Sequence, residues 1–173
     1  MTDNFNTEMQ LTPGQLAFIG LCNEYCSMAE NASSLSRDEL LAATLRMLPR
    51  LYIATTDLPD SDDMANFYID QALDEDYYNS IRATFERILG EDDTYLEVFE
   101  EDMKYSDTPI AASIAEGLAD IFQVCYNFIE TVRDAPTPVI AEALGAIKDD
   151  FAEYWSRILC NLLRPLNQLR YNL

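Results

Sequence analysis

The chain has 173 residues, of which 31 are acidic and 11 are basic, so its formal net charge is −20. A hydrophobic fraction of 49% is typical of a globular domain and excludes an intrinsically disordered chain. Histidine is absent, which excludes Ser-His-Asp catalysis, His-Glu-x-x-His zinc sites, Glu-x-x-His di-iron sites and phosphohistidine relays within this chain.

The beginning of the chain predicts neither export nor membrane insertion. Residues 1–10 lack the basic region and apolar stretch of a signal peptide, and we expect them to be loosely ordered. No apolar run approaches the roughly 20 residues that span a bilayer. We therefore expect a cytoplasmic protein without a membrane partner, in which residues 1–173 form a single helical domain.

The first two predicted helices each begin at a capping box, in which side chains satisfy the free amides of the helix N-terminus. Thr12-Pro13-Gly14-Gln15 starts a helix over about 13–31, and Ser36-Arg37-Asp38-Glu39 starts another over about 37–57. Apolar residues recur in both at the spacing of one helical face. Pro49 is expected to kink the second helix or to divide it in two.

Residues 62–89 form an acidic segment that we also expect to be helical. Its aromatic and aliphatic residues, including Phe67 and Tyr68, recur at helical spacing. A break near residues 73–76 is the alternative, and Gly90 is a suitable stop signal.

The next segment, residues 91–102, contains seven carboxylates. Thr94-Tyr95-Leu96-Glu97 fits a third capping box, so we expect a short helix over about 95–103. Asp92 and Asp93 would then lie favourably near its positive end. An EF-hand loop is excluded, because no glycine stands at the sixth position counted from Asp92.

Three interpretations of these carboxylates stay open: a solvated helix face, a docking surface for a basic protein partner, or a metal site. A cationic partner is favoured by the acidic residues at the negative end of the predicted helix. Tyrosine is common at interfaces, which adds Tyr95 to the candidate surface. The binding-surface hypothesis takes Asp92, Asp93, Tyr95, Glu97, Glu100 and Glu101. No cofactor and no metal are expected under it.

Two long helices are predicted in the last third of the chain. Thr108-Pro109 and Thr137-Pro138 place threonine at the N-cap and proline at the first helical position of each. The short "DAPTP" connection predicts an antiparallel hairpin. No segment shows sustained strand-like alternation. We therefore expect an all-α fold, a compact bundle of five to seven helices whose last two form this hairpin.

The four cysteines are Cys22, Cys26, Cys125 and Cys160. A zinc site would need all four sulfurs to converge, because no histidine can serve as a ligand. Cys22 and Cys26 both fall on the apolar face of the first predicted helix, which favours buried free thiols.

Four stretches resemble, in their order, the elements of a bacterial family of unknown function, domain-of-unknown-function family 5063. They are "LPRLYIATTDLP", "LGEDDTYLEVFEED", "ASIAEGLADIFQVCYNFIE" and "AIKDDFAEYWSRILCNLLRPL". The resemblance covers about residues 40–166 and depends on a Leu-Pro-x-Leu-Tyr turn, an Asp-x-Tyr segment, an Ala-Asp-Ile-Phe helix and a late Phe-x-x-x-Trp. It implies a compact helical bundle in the bacterial cytoplasm. It implies no activity and assigns no functional residues.

An enzymatic alternative comes from residues 116–121. Their sequence, Glu-Gly-Leu-Ala-Asp-Ile, is similar to the Glu-Glu-Leu-Ala-Asp-Val helix of all-helical nucleotide pyrophosphohydrolases. That resemblance implies inward carboxylates that hold magnesium or manganese against a triphosphate, with Glu116 and Asp120 as catalytic residues. The metal ligands in this alternative are Glu97, Glu100, Glu101, Glu116 and Asp120. Gly117 departs from the pattern, which has an acid at that position.

The charge is unevenly distributed. Residues 57–107 contain 17 acidic and three basic residues, a net charge of −14. Such a surface repels phosphates, so we expect no nucleic-acid partner, and mimicry of a nucleic acid is a second alternative function. Six arginines outside this half form a predicted basic patch that faces away from it: Arg37, Arg46, Arg50, Arg157, Arg164 and Arg170. Self-association through that patch is a further hypothesis, and the oligomeric state stays open. The main expectation is a non-catalytic protein-binding or adaptor module.

Overall fold

A computed structural model describes residues 8–61, 66–97, 101–105 and 108–173. Their helices are α1 (Pro13–Glu30), α2 (Arg37–Thr56), α3 (Glu75–Leu89), α4 (Ile114–Val132), α5 (Thr137–Asp150) and α6 (Ser156–Tyr171). A π-helical turn, Phe151–Trp155, joins α5 to α6 without a break. The described residues thus form five helical rods, which confirms the expected helical bundle. Most of the N-terminal segment expected to be loosely ordered, residues 1–7, lies outside the described residues.

Helix α4 is the centre of the bundle. Helices α1 and α3 and the α5–α6 rod all pack against it, while α2 packs against α1 and α6. The largest fully buried side chains are Trp155, Tyr25, Phe18, Phe85, Phe122 and Phe128. The hydroxyl of Tyr25 donates a hydrogen bond to the carbonyl oxygen of Leu118 at 2.8 Å, so its polar end is satisfied inside the core.

The first two helix starts are confirmed. Thr12 and Ser36 each accept a hydrogen bond from the third helical amide, and Gln15 and Glu39 complete the two capping boxes. Helix α2 continues through Pro49 and is not divided. A proline removes one amide and disturbs the carbonyl four residues earlier. The buried residues on either side of it, Met47, Leu48 and Leu51 among them, hold the helix against α1 and α6.

The other threonine-proline pairs do not cap helices. Helix α5 begins at Thr137 itself, with Pro136 as the N-cap residue. Thr108-Pro109 precedes a strand, and α4 is capped by Ser113, whose hydroxyl oxygen accepts from the amide of Glu116 at 3.1 Å.

The helix predicted over 95–103 is wrong. Strand β1 (Thr94–Glu97) pairs antiparallel with strand β2 (Ile110–Ser113), with Thr94 opposite Ser113 and Glu97 opposite Ile110. A short 3₁₀ turn follows at Glu101–Lys104. Pairing with β2 thus replaces the helical conformation that the Thr94 capping box predicted.

The helix predicted over 62–89 is too long. Residues 66–74 have no regular secondary structure, and α3 starts only at Glu75. Asp74 is its N-cap and accepts from the amide of Tyr77 at 2.8 Å. The break thus lies at the position that the sequence left open. Residues 62–65 lie outside the described residues.

The predicted C-terminal hairpin is present, with α4 as one arm and the α5–α6 rod as the other. The two arms approach closely at Gly117, where an added Cβ atom would lie 2.7 Å from Cδ2 of Leu162. A larger residue at position 117 would therefore require Leu162 to shift.

Three of the four thiols, Cys22, Cys26 and Cys125, are buried, and Cys160 is exposed on α6. The four sulfurs therefore do not converge on one zinc ion. Burial raises the pKa of Cys26 well above the usual value of a thiol, which makes that thiol a poor nucleophile. Among the helices of the described residues, none is both long enough and apolar enough to cross a membrane.

Candidate functional site

Two residues of the predicted binding surface have structural roles. A carboxylate oxygen of Asp92 lies 2.6 Å from Nη2 of Arg37. Asp93 accepts from the Ser113 hydroxyl and from the Ala115 amide, both at 2.7 Å. The prediction that Asp92 and Asp93 lie at the start of a helix over about 95–103 is wrong, because residues 94–97 form a strand. Asp93 instead lies at the N-terminus of α4, which is distant in sequence.

One cavity of about 470 Å³ is lined by three members of the predicted surface, Asp92, Tyr95 and Glu97, but not by Glu101. The hydroxyl of Tyr95 donates to Oε1 of Glu97 at 2.6 Å, and both residues are half-buried in β1. Glu101 is exposed and lies 3.7 Å from Nζ of Lys104. Glu100 lies outside the described residues.

Three of the carboxylates named for the metal-dependent alternative line one cavity of about 170 Å³. They are Glu97, Glu116 and Asp120, and Arg157 lines the same cavity, whereas Glu101 does not. In the part of the chain that the structure describes, no group of three or more cysteine, aspartate or glutamate residues is arranged to hold a metal ion. At Gly117, where the hydrolase pattern has an acid, a longer side chain would require Leu162 to move.

Asp120 is nonetheless in an unusual environment. Partial burial raises its pKa, and the nearby Glu116 raises it further. A 2.6 Å hydrogen bond from the hydroxyl of Tyr78 and the charge of Arg82 act in the opposite direction. Burial is the dominant cause, so this carboxyl group resists ionisation more than an ordinary aspartate does.

The most exposed aromatic pair that shares a cavity was not selected from the sequence. Tyr68 and Tyr154 are 85% and 51% exposed and line one cavity of about 490 Å³ with Asp150. The sequence had placed Tyr68 on a helix, whereas it lies in the irregular segment 66–74. The sequence considered four tyrosines of the acidic half. Tyr77, Tyr78 and Tyr95 are only partly exposed, and Tyr105 is 88% exposed but does not line this cavity.

A second cavity of about 560 Å³ adjoins the first and shares Phe67, Tyr68 and Asp150 with it. Its carboxylates are Asp60, Glu142, Asp149 and Asp150. We call the two cavities together the tyrosine groove, defined by Phe67, Tyr68, Glu142, Asp149, Asp150 and Tyr154.

The charged side chains in and beside the tyrosine groove contact other groups of the chain. The nearby ammonium group of Lys148 donates to the carbonyl of Leu58 at 2.5 Å and to Asp60 at 2.8 Å, so it is engaged within the chain. Asp149 accepts from the hydroxyl of Ser61 at 2.6 Å. Partial burial raises the pKa of Asp150, and Glu153 and Asp149 add to this effect. Carboxyl groups thus lie together at one side of the groove, at Glu142, Asp149 and Asp150.

The wall that carries Tyr68 is held by a buried amide side chain. Asn127 of α4 is only 5% exposed, and its Oδ1 accepts from the backbone amides of Ala72 and Leu73 at 3.0 and 2.9 Å. The hydroxyl oxygen of Thr131 accepts from the amide of Asp70 at 3.0 Å. The signal in the sequence is a polar residue, Asn127, directly before Phe128 in the apolar stripe of α4.

The predicted basic patch is only partly formed. Arg50 pairs with Glu24 at 3.1 Å, and Arg37 pairs with Asp92 of the acidic half, so Arg37 does not face away from that half. Arg46, Arg164 and Arg170 form no ion pair with any acidic residue in the described ranges.

The comparison with protein families matches a model over residues 11–172, nearly the whole chain. The chain belongs to the DUF5063 family. The model is described as a domain of unknown function, and the match confirms the resemblance seen in the sequence. A solved structure, protein BF1032 from Bacteroides fragilis, is similar with a TM-score of 0.78 and 25% identity, covering 93% of this chain and 94% of that one. The comparison with curated proteins finds no significant match.

Proposed function

We propose that this DUF5063 protein is a non-catalytic binding module that docks a lysine- or arginine-rich segment of a partner protein in the tyrosine groove. The observation that carries the proposal is the shared cavity of two exposed tyrosines, Tyr68 and Tyr154, on separate walls with Asp150. Large exposed aromatic side chains leave apolar area in contact with water. A partner that covers this area removes it from water, which stabilises the complex.

The chemistry of the groove favours a cationic occupant. The face of a tyrosine ring attracts a guanidinium or ammonium group, with an energy of about 0.5–1 kcal/mol at exposed sites and about 2 kcal/mol when water is excluded. Asp149, Asp150 and Glu142 lie along the adjoining cavity and would pair with further basic residues. Lys148 would compete weakly, because Leu58 and Asp60 already occupy its ammonium group.

The charge of the whole chain supports the same partner class. A net charge of −20 attracts basic proteins over a distance of several ångströms and accelerates their association. The general field cannot by itself select a site, since screening limits it to about 8 Å at physiological ionic strength. The tyrosines supply the short-range discrimination that the field lacks.

Calorimetric titration tests the proposal, with a pool of eight-residue peptides that contain two fixed arginines as the probe. We expect Tyr68→Ala and Tyr154→Ala each to weaken binding about five- to thirtyfold, the range that corresponds to about 1–2 kcal/mol. Tyr105→Ala is the matched control, because Tyr105 is 88% exposed in the acidic half but does not line the groove. Equal affinities of the three variants would contradict the proposal, and none of them changes the net charge.

A carboxylate-metal hydrolase is the second candidate, because Glu97, Glu116 and Asp120 line one cavity. Thermal unfolding with magnesium or manganese tests it against sodium chloride of equal ionic strength. A bound metal would raise the free energy of unfolding. At metal concentrations above the dissociation constant, this increase grows with the logarithm of the concentration. Stabilisation that follows ionic strength alone would remove this candidate.

A further inference from the structure

Helix α6 and most of helix α2 contain no acidic residue. Residues 40–56 and 156–171 include five arginines and no aspartate or glutamate, although the chain has 31 acidic residues. The two helices pack against each other, so these stretches lie side by side. We call the outer surface that they share the arginine face, defined by Arg46, Pro49, Leu163, Arg164, Arg170 and Tyr171.

An open groove of about 490 Å³ follows the arginine face between the two helices. Leu163, Asn167 and Tyr171 line it from α6 at steps of four residues, so it extends along the helix for about 12 Å. Leu45 and Pro49 line it from α2. Among the residues that the structure describes, no carboxylate lines this groove, whereas at least one lines each of the four cavities described above.

Three arginines of this face have charges that the chain itself does not neutralise. Arg46, Arg164 and Arg170 are exposed, and none has an acidic partner within 4.0 Å in the described ranges. Arg164 lines the groove, Arg46 directly follows Leu45, and Arg170 stands two helical turns after Leu163. Arg164 also lines the cavity of about 470 Å³ that has two carboxylates, but neither of these lies within 4.0 Å of its guanidinium group.

Apolar side chains flanked by unpaired cations are complementary to an amphipathic segment that carries carboxylates. A groove between two packed helices has the shape that accepts a third helix through its apolar side. Membranes and nucleic acids fit this face less well, because an extended anionic surface meets the field of the whole chain, whose net charge is −20. A short segment in the groove responds mainly to charges within a screening length of about 8 Å.

We infer that the arginine face docks an acidic amphipathic helix of a partner protein, which covers the groove and places carboxylates against Arg46, Arg164 and Arg170. Guanidinium groups pair with carboxylates through two parallel hydrogen bonds, which adds directional specificity to the apolar contact. This partner is opposite in charge to the one proposed for the tyrosine groove, and the two grooves share no residue. Neither proposal depends on the other.

Fluorescence anisotropy tests the inference with a labelled, blocked peptide of three heptads, which has leucine on one side of the helix and glutamate beside it. A control peptide has the same composition in an order that removes the apolar side. We expect the first peptide to bind saturably and the control at least fivefold more weakly. Arg46→Gln and Arg164→Gln should each weaken binding about two- to fivefold, the effect of one exposed ion pair. Arg87→Gln is the matched control, because Arg87 is an exposed arginine of α3, which packs against α4, and it should leave the affinity unchanged.

A tyrosine variant tests the apolar contact separately from the charge. Tyr171 is 64% exposed and lines the groove, so Tyr171→Ala should weaken binding about fivefold, whereas Tyr68→Ala, in the tyrosine groove, should not change it. The inference is overturned by no saturable binding at millimolar peptide, by equal affinity of the control peptide, or by full affinity of an Arg46→Gln, Arg164→Gln double variant. Self-association of the wild-type protein, or binding to phosphatidylglycerol vesicles, that this double variant loses would also overturn it, because a second copy or a lipid surface would then be the occupant.

Discussion

Asn127→Ala is the change that tests the architecture of the tyrosine groove most sharply. It removes the oxygen that accepts from the amides of Ala72 and Leu73, while the rest of α4 keeps its packing. Leaving a buried amide without an acceptor costs about 1–3 kcal/mol. Leu73 is buried and Ala72 is exposed, so we assign about 2 kcal/mol to the first and about 1 kcal/mol, the low end of that range, to the second.

Alanine is a better helix former than asparagine, which returns about 0.5 kcal/mol. The expected loss in the free energy of unfolding is therefore about 2–3 kcal/mol, or about 4–12 °C in Tm for a domain of this size. Urea unfolding followed by tryptophan fluorescence measures it, because the single tryptophan, Trp155, is fully buried beside the groove.

The matched control is Asn167→Ala, the same chemical change at an exposed position of α6. It should leave stability unchanged or raise it slightly through helix propensity. A loss below about 0.5 kcal/mol for Asn127→Ala, similar to that of the control, would refute the reasoning that this side chain holds segment 66–74.

Three further predictions concern other contacts, those of Asp93, Gly117 and Asp120. Asp93→Ala should lower the unfolding free energy by about 1–2 kcal/mol in urea titrations, because it removes the acceptor of the Ala115 amide and of the Ser113 hydroxyl at the start of α4. Glu91→Ala, an exposed change beside it, should have little effect. Gly117→Ala should destabilise the fold by about 1–3 kcal/mol through overpacking against Leu162, and the better helix propensity of alanine should reduce this loss by about 1 kcal/mol. In a double-mutant cycle with Leu162→Ala, the two losses of unfolding free energy should not add. The pKa of Asp120 is raised in the folded state, so its contribution to the free energy of unfolding falls as the pH rises from the ordinary value of 3.8 through the raised value. The stability of Asp120→Asn relative to wild type should therefore increase over that range. A pH-independent difference between these two proteins would contradict that assignment.

Much of the helical core could be predicted because its signals are local. The boxes at Thr12 and Ser36 mark two helix starts, and the apolar stripe of α4 from Ile114 to Val132 recurs at helical spacing over five turns. These patterns depend only on residues within one or two turns of each other, so no knowledge of the tertiary structure is needed.

The candidate site could not be predicted in the same way, because distant residues determine it. Thr94-Tyr95-Leu96-Glu97 fits a helix start locally, yet the competing contacts of Asp93 with α4 and of β1 with β2 join residues 13 to 22 positions apart. Tyr68 is exposed because Asn127, 59 positions later, holds its segment in an irregular conformation. Local propensity is overridden where such contacts satisfy more backbone groups.

The cavity lined by Glu97, Glu116 and Asp120 could be predicted in part. The sequence grouped Glu116 with Asp120 correctly, since they are one helical turn apart, and both line one cavity with Glu97. It could not show that Gly117 faces Leu162, because that contact depends on the distance between α4 and α6. At this position the hydrolase pattern has an acid, whereas this chain has a glycine packed against Leu162.

Photo-crosslinking tests the central claim most directly, with the arginine peptide pool carrying a benzophenone and the attachment sites mapped by mass spectrometry. The account predicts crosslinks to residues 66–71 and 149–154, the two walls of the tyrosine groove, and their loss in a Tyr68→Ala, Tyr154→Ala double variant. Crosslinks concentrated on residues 91–105, and retained by that variant, would contradict it and return the binding site to the acidic segment.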